Sequence, residues 1–166
     1  MTEISSLADV PEALVPAFEA GDPLAVGRTR ERANVAIMGR IVAAIAAGSY
    51  EEMRDHLAPD VTLEIAAPAT IPWVRHARGA DEVIAAVRHN FGTLRDQRPT
   101  PLALAAQGDT VMVMARETGT WTASGEPYEG LVAQQWTFHG DRLACVRSVV
   151  AFAPDPERVY AERASA

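Results

Sequence analysis

Residues 44–65, AIAAGSYEEMRDHLAPDVTLEI, decide how this chain folds. The stretch leaves an apolar helical stripe at Gly48, runs through a short polar segment, and after Pro59-Asp60 enters a period of two. Upstream, Ile37, Met38, Ile41, Val42 and Ile45 share one face of a helix expected from about Arg30 to Ala47, with Arg40 on another face. Gly48 supplies the left-handed backbone at which helices commonly end. Ser49-x-x-Glu52 has the form of a capping box, so a short second helix is expected through about Leu57. Val61, Leu63 and Ile65 alternate with Thr62 and Glu64, the pattern of a strand with one buried face.

Beyond this core the pattern continues in both directions. A loop from Ala66 to Gly79 carries Pro68, Pro72, Trp73 and His76. A third helix is expected from about Asp81 to Arg95, with Val83, Ile84, Val87 and Phe91 apolar, closed by Pro99-Thr100-Pro101. Strands follow at Leu102–Ala106, Thr110–Trp121, Glu129–Phe138 and Leu143–Phe152, joined by turns at Gln107-Gly108-Asp109, Ser124-Gly125-Glu126-Pro127 and Gly140-Asp141. On the amino-terminal side, residues 1–28 read as an arm. Leu7, Val10, Leu14 and Phe18 sit at near-helical spacing, and Pro11, Pro16 and Gly21-Asp22-Pro23 interrupt any long helix. The body is expected over 29–153 and a tail over 154–166.

Composition narrows the function. The chain has 166 residues, 48% of them hydrophobic, which suits one domain with a real core. Its 15 basic residues, all Arg, face 22 acidic ones for a net charge of −7, and no basic run offers a nucleic-acid surface. Without Lys there is no Lys Schiff base and no P-loop. Cys145 is the only cysteine, so no internal disulfide forms and a reducing compartment fits. The acidic opening MTEISSLADVPEALVP lacks the basic start of a secretory leader, and the longest apolar run, Ile41 to Ala47, is too short to cross a bilayer. A cytoplasmic protein with no membrane partner is expected. His56, His76, His89 and His139 lack metal-ligand spacing, so no metal site is expected.

The order helix, short helix, strand, helix, then four strands resembles the SnoaL-like branch of the nuclear-transport-factor-2-like superfamily. The resemblance is carried by residues 44–65, by PATIPWVRHARGADEVIAAV at 68–87, and by VAQQWTFHGDRLACVRSVVAF at 132–152. It implies an α+β fold: a cone-shaped barrel in which a curved, mostly antiparallel sheet wraps three helices around an apolar cavity. Relatives include ketosteroid isomerases, polyketide cyclases, limonene-epoxide hydrolases and dehydratases, commonly as homodimers without a cofactor.

Carried onto this chain, the family's acid–base positions fall on other residue types. The isomerase base position is Ile65, with Glu64 beside it facing outward unless a bulge turns it. The second isomerase acid is Gln134, whose amide can hydrogen-bond a carbonyl or oxyanion. The final-strand Asp of the hydrolases and cyclases is Ser148. The resemblance turns Met112, Met114 and Arg116 toward the cavity, Arg116 as an anion or enolate partner. A register shifted by one residue would instead bring Glu117 inside as a general base. His76 borders the cavity mouth in this scheme and suits proton transfer near neutral pH. The catalytic candidates are thus His76, Arg116, Gln134, Glu64 and Glu117. Trp73, Phe91, Met112, Met114, Trp136, Ser148 and Val150 are the candidate wall. Trp121, near a strand end, reads as a hairpin or interface residue.

Three functions fit these residues. One is a cofactor-independent enzyme acting by enolisation on a small apolar carbonyl compound, as a cyclase, isomerase or dehydratase. Another is a small-molecule carrier or dimeric adaptor on the same fold. The third is an epoxide hydrolase, which requires two acids bracketing a water.

Overall fold

The structure is a computed structural model; it describes residues 25–152, with side chains from residue 29 onward. The tail and all but the last four residues of the expected arm lie outside the described residues. Helix α1 spans Ala25–Ala46, a 3₁₀ segment Tyr50–His56, β1 Leu57–Ala66, β2 His76–Arg78, α2 Ala80–Gly92, β3 Leu94–Gln107, β4 Thr110–Trp121, β5 Pro127–His139 and β6 Arg142–Phe152. The six strands form one sheet in the order β2-β1-β6-β5-β4-β3, antiparallel except where β1 runs parallel to β6. This is the α+β class expected.

The helices cover one face of the sheet. Val35, Met38 and Ile41 of α1 and Val83, Ile84 and Val87 of α2 form a single core with Val61, Leu63, Val111, Trp136, Phe138 and Val146 of the strands. Phe138 and Val111 are fully enclosed. Three side chains tie α1 to the β3–β4 turn. The buried Asn34 donates from Nδ2 to the Gly108 carbonyl (3.1 Å), Glu31 accepts from the Gly108 N–H (2.9 Å), and Arg30 pairs with Asp109. Gly108 takes a positive φ of 56°, which the tight turn requires.

Several local expectations change. Ser49 makes no side-chain cap, and the segment after it winds as 3₁₀ rather than α; its Glu52 N–H bonds to the Ser49 carbonyl instead. Strand β1 begins at Leu57, and Pro59-Asp60 falls at an irregularity in its pairing with β6. The loop after β1 contains a short strand, β2, that pairs with Thr62–Glu64. Pro99 and Pro101 do not close a helix. They lie inside β3, which starts at Leu94. Strand β3 is the sheet edge, where a missing N–H is tolerated, and register shifts flank both prolines.

The loop between β1 and β2 is pinned to the carboxyl-terminal end of α2. Buried Asn90 accepts from the Val74 N–H at 2.8 Å and donates to the Val74 carbonyl at 2.9 Å, as a neighbouring strand would. Trp73 donates to Thr93 Oγ1 (2.9 Å), and His89 to the Pro72 carbonyl (2.9 Å). Replacing Asn90 by Ala strands both Val74 groups, so Asn90→Ala is expected to lower stability by about 2–3 kcal/mol. Urea unfolding measures this; an unchanged midpoint would show that the loop does not depend on Asn90.

Candidate functional site

Strands β4 and β5 pair without a break from Thr110↔Thr137 to Thr120↔Pro127, and this register sorts every side chain. Val111 is fully buried against the helices, so Val113, Ala115, Glu117, Gly119 and Trp121 share its concave face. On β5 the same face carries Tyr128, Gly130, Val132, Gln134 and Trp136; on β6 it carries Val146, Ser148, Val150 and Phe152.

Glu117 is the centre of a polar niche on this face. Its Oε1 accepts from Tyr128 O–H at 2.7 Å and from Gln97 Nε2 at 2.8 Å. Among the described residues its Oε2 receives no hydrogen bond, and it is not sealed from solvent. Two backbone features make the arrangement. Gly119 stands opposite Tyr128, and a Cβ there would come within 2.7 Å of the tyrosine ring, so only glycine lets the phenol lie across β4 to reach Glu117. In β3 the register slips between Arg95 and Arg98, where Asp96 takes a φ of 54°; this bulge lies beside Gln97.

Aromatic rings flank the niche. Tyr128 lies against Trp121 (centroids 5.1 Å apart) and Phe152 (5.7 Å), and Phe152 also meets Trp121 (5.2 Å) and Trp73 (6.0 Å). Burial and the negative charge of Glu117, in that order, raise the Tyr128 phenol well above its ordinary ionisation range. Tyr128 therefore remains a proton donor throughout the physiological range.

A second polar station lies deeper. Trp136 donates to Gln134 Oε1 at 3.1 Å, which orients the amide and leaves its Nε2 without a partner among the described residues. Ser148, 5% exposed, stands opposite Gln134.

The sequence candidates divide between the two faces. Met112 (47% exposed), Met114 (41%) and Arg116 point away from the helices, and Arg116 pairs with Glu129 at 3.3 Å. Their expected inward place is corrected: in this stretch of β4 it is Glu117 that shares the face of the buried Val111. Both faces of β4 alternate apolar residues, so the period alone could not choose between them. Glu64 also faces outward, bonded to Arg147 at 2.9 Å, with His76 exposed opposite it on β2; neither reaches the niche. Gln134, Trp136, Ser148 and Val150 are on the concave face, Phe91 packs against the core, and Trp73 joins the aromatic cluster. Trp121 closes the β4–β5 hairpin, as expected, its N–H donating to the Glu126 carbonyl (2.8 Å), and its ring joins that cluster. Sequence reading missed Tyr128, Gln97 and Phe152. The signal for Tyr128 and Phe152 was present in Gly119 and Gly130, glycines inside strands that mark a close approach. Among the described residues no three His, Cys, Asp or Glu side chains converge as metal ligands, and no helix is long and apolar enough to cross a membrane.

A mostly antiparallel six-stranded sheet with its helices on one face defines the NTF2-like class of α+β folds. An NTF2-like protein of Burkholderia xenovorans LB400 superposes with a TM-score of 0.65 at 20% identity, over 73% of this chain and 91% of its own. A protein of Jannaschia sp. CCS1, described as a candidate SnoaL-like polyketide cyclase, gives 0.66 at 17% identity over 84% and 95%. An LEH-like epoxide hydrolase of M. tuberculosis gives 0.57 at 12% identity over 72% and 83%. At such identities the likeness is one of fold. No curated protein matches the sequence. The model of the SnoaL-like domain matches residues 38–146, and the chain belongs to that family.

The environment of Tyr128 gives a pH prediction. Its folded ionisation lies above the ordinary tyrosine value of 10.0. Its contribution to stability is therefore complete below pH 10 and is lost as pH rises through that value toward the folded one. Glu117→Gln removes the charge and leaves the burial, so tyrosinate absorbance should show Tyr128 ionising at lower pH than in the wild type, yet above a free tyrosine. An identical titration in both proteins would mean that Glu117 and Tyr128 are not coupled.

Proposed function

We propose that this chain is a cofactor-independent enzyme that enolises a small, largely apolar carbonyl compound, with Glu117 as base and Tyr128 as hydrogen-bond donor to the developing oxyanion. The observation that carries this reading is the 2.7 Å bond between Tyr128 O–H and Glu117 Oε1, set among aromatic rings. A base and a donor this close match the neighbouring α-hydrogen and carbonyl oxygen of a ketone. Glu117 Oε2 takes the α-proton, while Tyr128 turns its O–H from Glu117 to the enolate oxygen. Gln97 keeps its bond to Oε1 and holds the carboxylate in place. Returning the proton to another carbon is isomerisation; attack of the enolate on a second carbonyl is cyclisation, and loss of water from that product is dehydration.

Electrostatics favours a neutral substrate. The inward positions of β4, β5 and β6 carry no Arg or His, so the negative charge of Glu117 has no cation facing it there and repels anionic groups. The epoxide-hydrolase reading is weaker, because Glu117 is the one carboxylate on the concave face of those strands and its partners are Tyr128 and Gln97 rather than a second acid. The carrier reading becomes the conclusion if binding occurs without proton exchange.

The working unit we infer is a homodimer formed through the outer face of the sheet. Leu102, Met112, Met114, Leu131 and Val149 are all exposed there. The adjacent charges are already matched within the chain, Arg147 with Glu64 and Arg116 with Glu129. A neutral apolar band of this kind suits a second copy related by a two-fold axis.

Two outcomes are expected. Exchange of α-protons for deuterium in a panel of cyclic ketones, followed by proton NMR, should fall by about 10²-fold or more in Glu117→Gln and about 10-fold or more in Tyr128→Phe. Full exchange by Glu117→Gln would remove it as the base. By sedimentation equilibrium the wild type should be a dimer and Val149→Arg a monomer; a monomeric wild type would refute the interface.

A further inference from the structure

The polar groups of the concave face form two stations separated by an apolar row. Cross-strand pairing orders the face in rows. Val113, Gln134, Ser148 and Ile65 form one; Ala115, Val132 and Val150 the next; Glu117, Gly130 and Phe152 the third. Glu117 and Gln134 are therefore two rows, or four residues, apart along the strands, about 13 Å at the level of the backbone. That backbone separation is several times the distance between a carbonyl oxygen and its own α-hydrogen. The middle row holds nothing polar.

The inner station is prepared for an acceptor. Gln134 Oε1 is occupied by the Trp136 N–H, so the amide orientation is set and Nε2 is the group left over. Ser148 is 5% exposed and directly across the ladder, which brings a second donor next to the amide. Both donors are neutral, so they suit a carbonyl, ether or hydroxyl oxygen rather than an anion.

We propose that the ligand is an elongated, rigid and mostly apolar molecule that carries an oxygen acceptor on the order of 10 Å from its acidic C–H, the acceptor seated on Gln134 and Ser148 and the C–H at Glu117. This rests on the enolisation reading for the Glu117 end. The apolar centre of the molecule lies along Ala115, Val132 and Val150. The inner station sets length and orientation, and so decides which carbonyl of a larger molecule meets the base.

The test uses the full chain and two probes: a bicyclohexyl bearing a ketone at each far end, and the same bicyclohexyl with only one ketone. Tryptophan fluorescence titration should show the diketone binding about tenfold tighter. Gln134→Glu keeps an oxygen for the Trp136 N–H and removes the amide donor, so it should abolish the preference. Ser148→Ala should reduce it by about threefold. Near-ultraviolet circular dichroism establishes that each variant is folded, and Ser148→Ala tests the station by itself should Gln134→Glu fail to fold. Equal affinities for the two ketones in the wild type, a preference that survives in both variants, or binding of neither ketone would overturn the proposal. Deuterium exchange on the same probes separates it from the enolisation reading. Exchange without a diketone preference refutes the inner station alone. A Gln134-dependent preference without exchange supports the station and removes the chemistry assigned to Glu117.

Discussion

The concave face depends on the pairing of β4 with β5, in which Glu117 stands opposite Gly130 and Gly119 opposite Tyr128. Side chains on a strand alternate, so a slip of one residue would expose Glu117 and bury Arg116. The register is held at one end by Val111 and Trp136, both enclosed by the helices, and at the other by Tyr128 packed over Gly119. The two strand glycines lose the β propensity of a larger residue and give in return the space that Tyr128 and Phe152 occupy. The polar niche is thus a consequence of how two strands are aligned, and the same alignment sets the spacing between Glu117 and Gln134.

Charge is distributed in the same two-sided way. On the outer face carboxylates meet guanidinium groups, as in Glu64 with Arg147 and Glu129 with Arg116. On the concave face one carboxylate is held by a phenol and an amide. Neither of these partners is a cation, so the niche is built from neutral hydrogen-bond donors rather than from an ion pair. Residues 25–152 hold 14 acids against 13 Arg, so most of the net charge of −7 comes from residues 1–24 and 153–166.

Much of the fold was legible in residues 44–65 and in the alternating stretches after Thr110. Helical and strand periods are properties of consecutive residues, and β4, β5 and β6 begin and end within two residues of where the pattern puts them. Pro99 and Pro101 misled because a proline stops a helix or a central strand but is accepted at a sheet edge, and edge position is not a local property. Ser49 misled because the capping pattern was present without the hydrogen bond. Gln134, Trp136 and Ser148 were placed on the correct face through the family resemblance, whereas Met112, Met114 and Arg116 were not.

By itself the sequence determined the order of the elements other than β2, the family, the absence of Lys chemistry, and the presence of some polar groups among apolar strands. Those follow from composition, local periodicity and turn residues, which need no knowledge of distant contacts. Only the tertiary structure decided that Glu117 rather than Arg116 lies inside, that Tyr128 and Gln97 are its partners, and that Glu64 and His76 belong to the outer face. The reason is physical. Both faces of β4 are apolar enough to be buried, so the choice between them is made by what the neighbouring strands and the helices bring against each face.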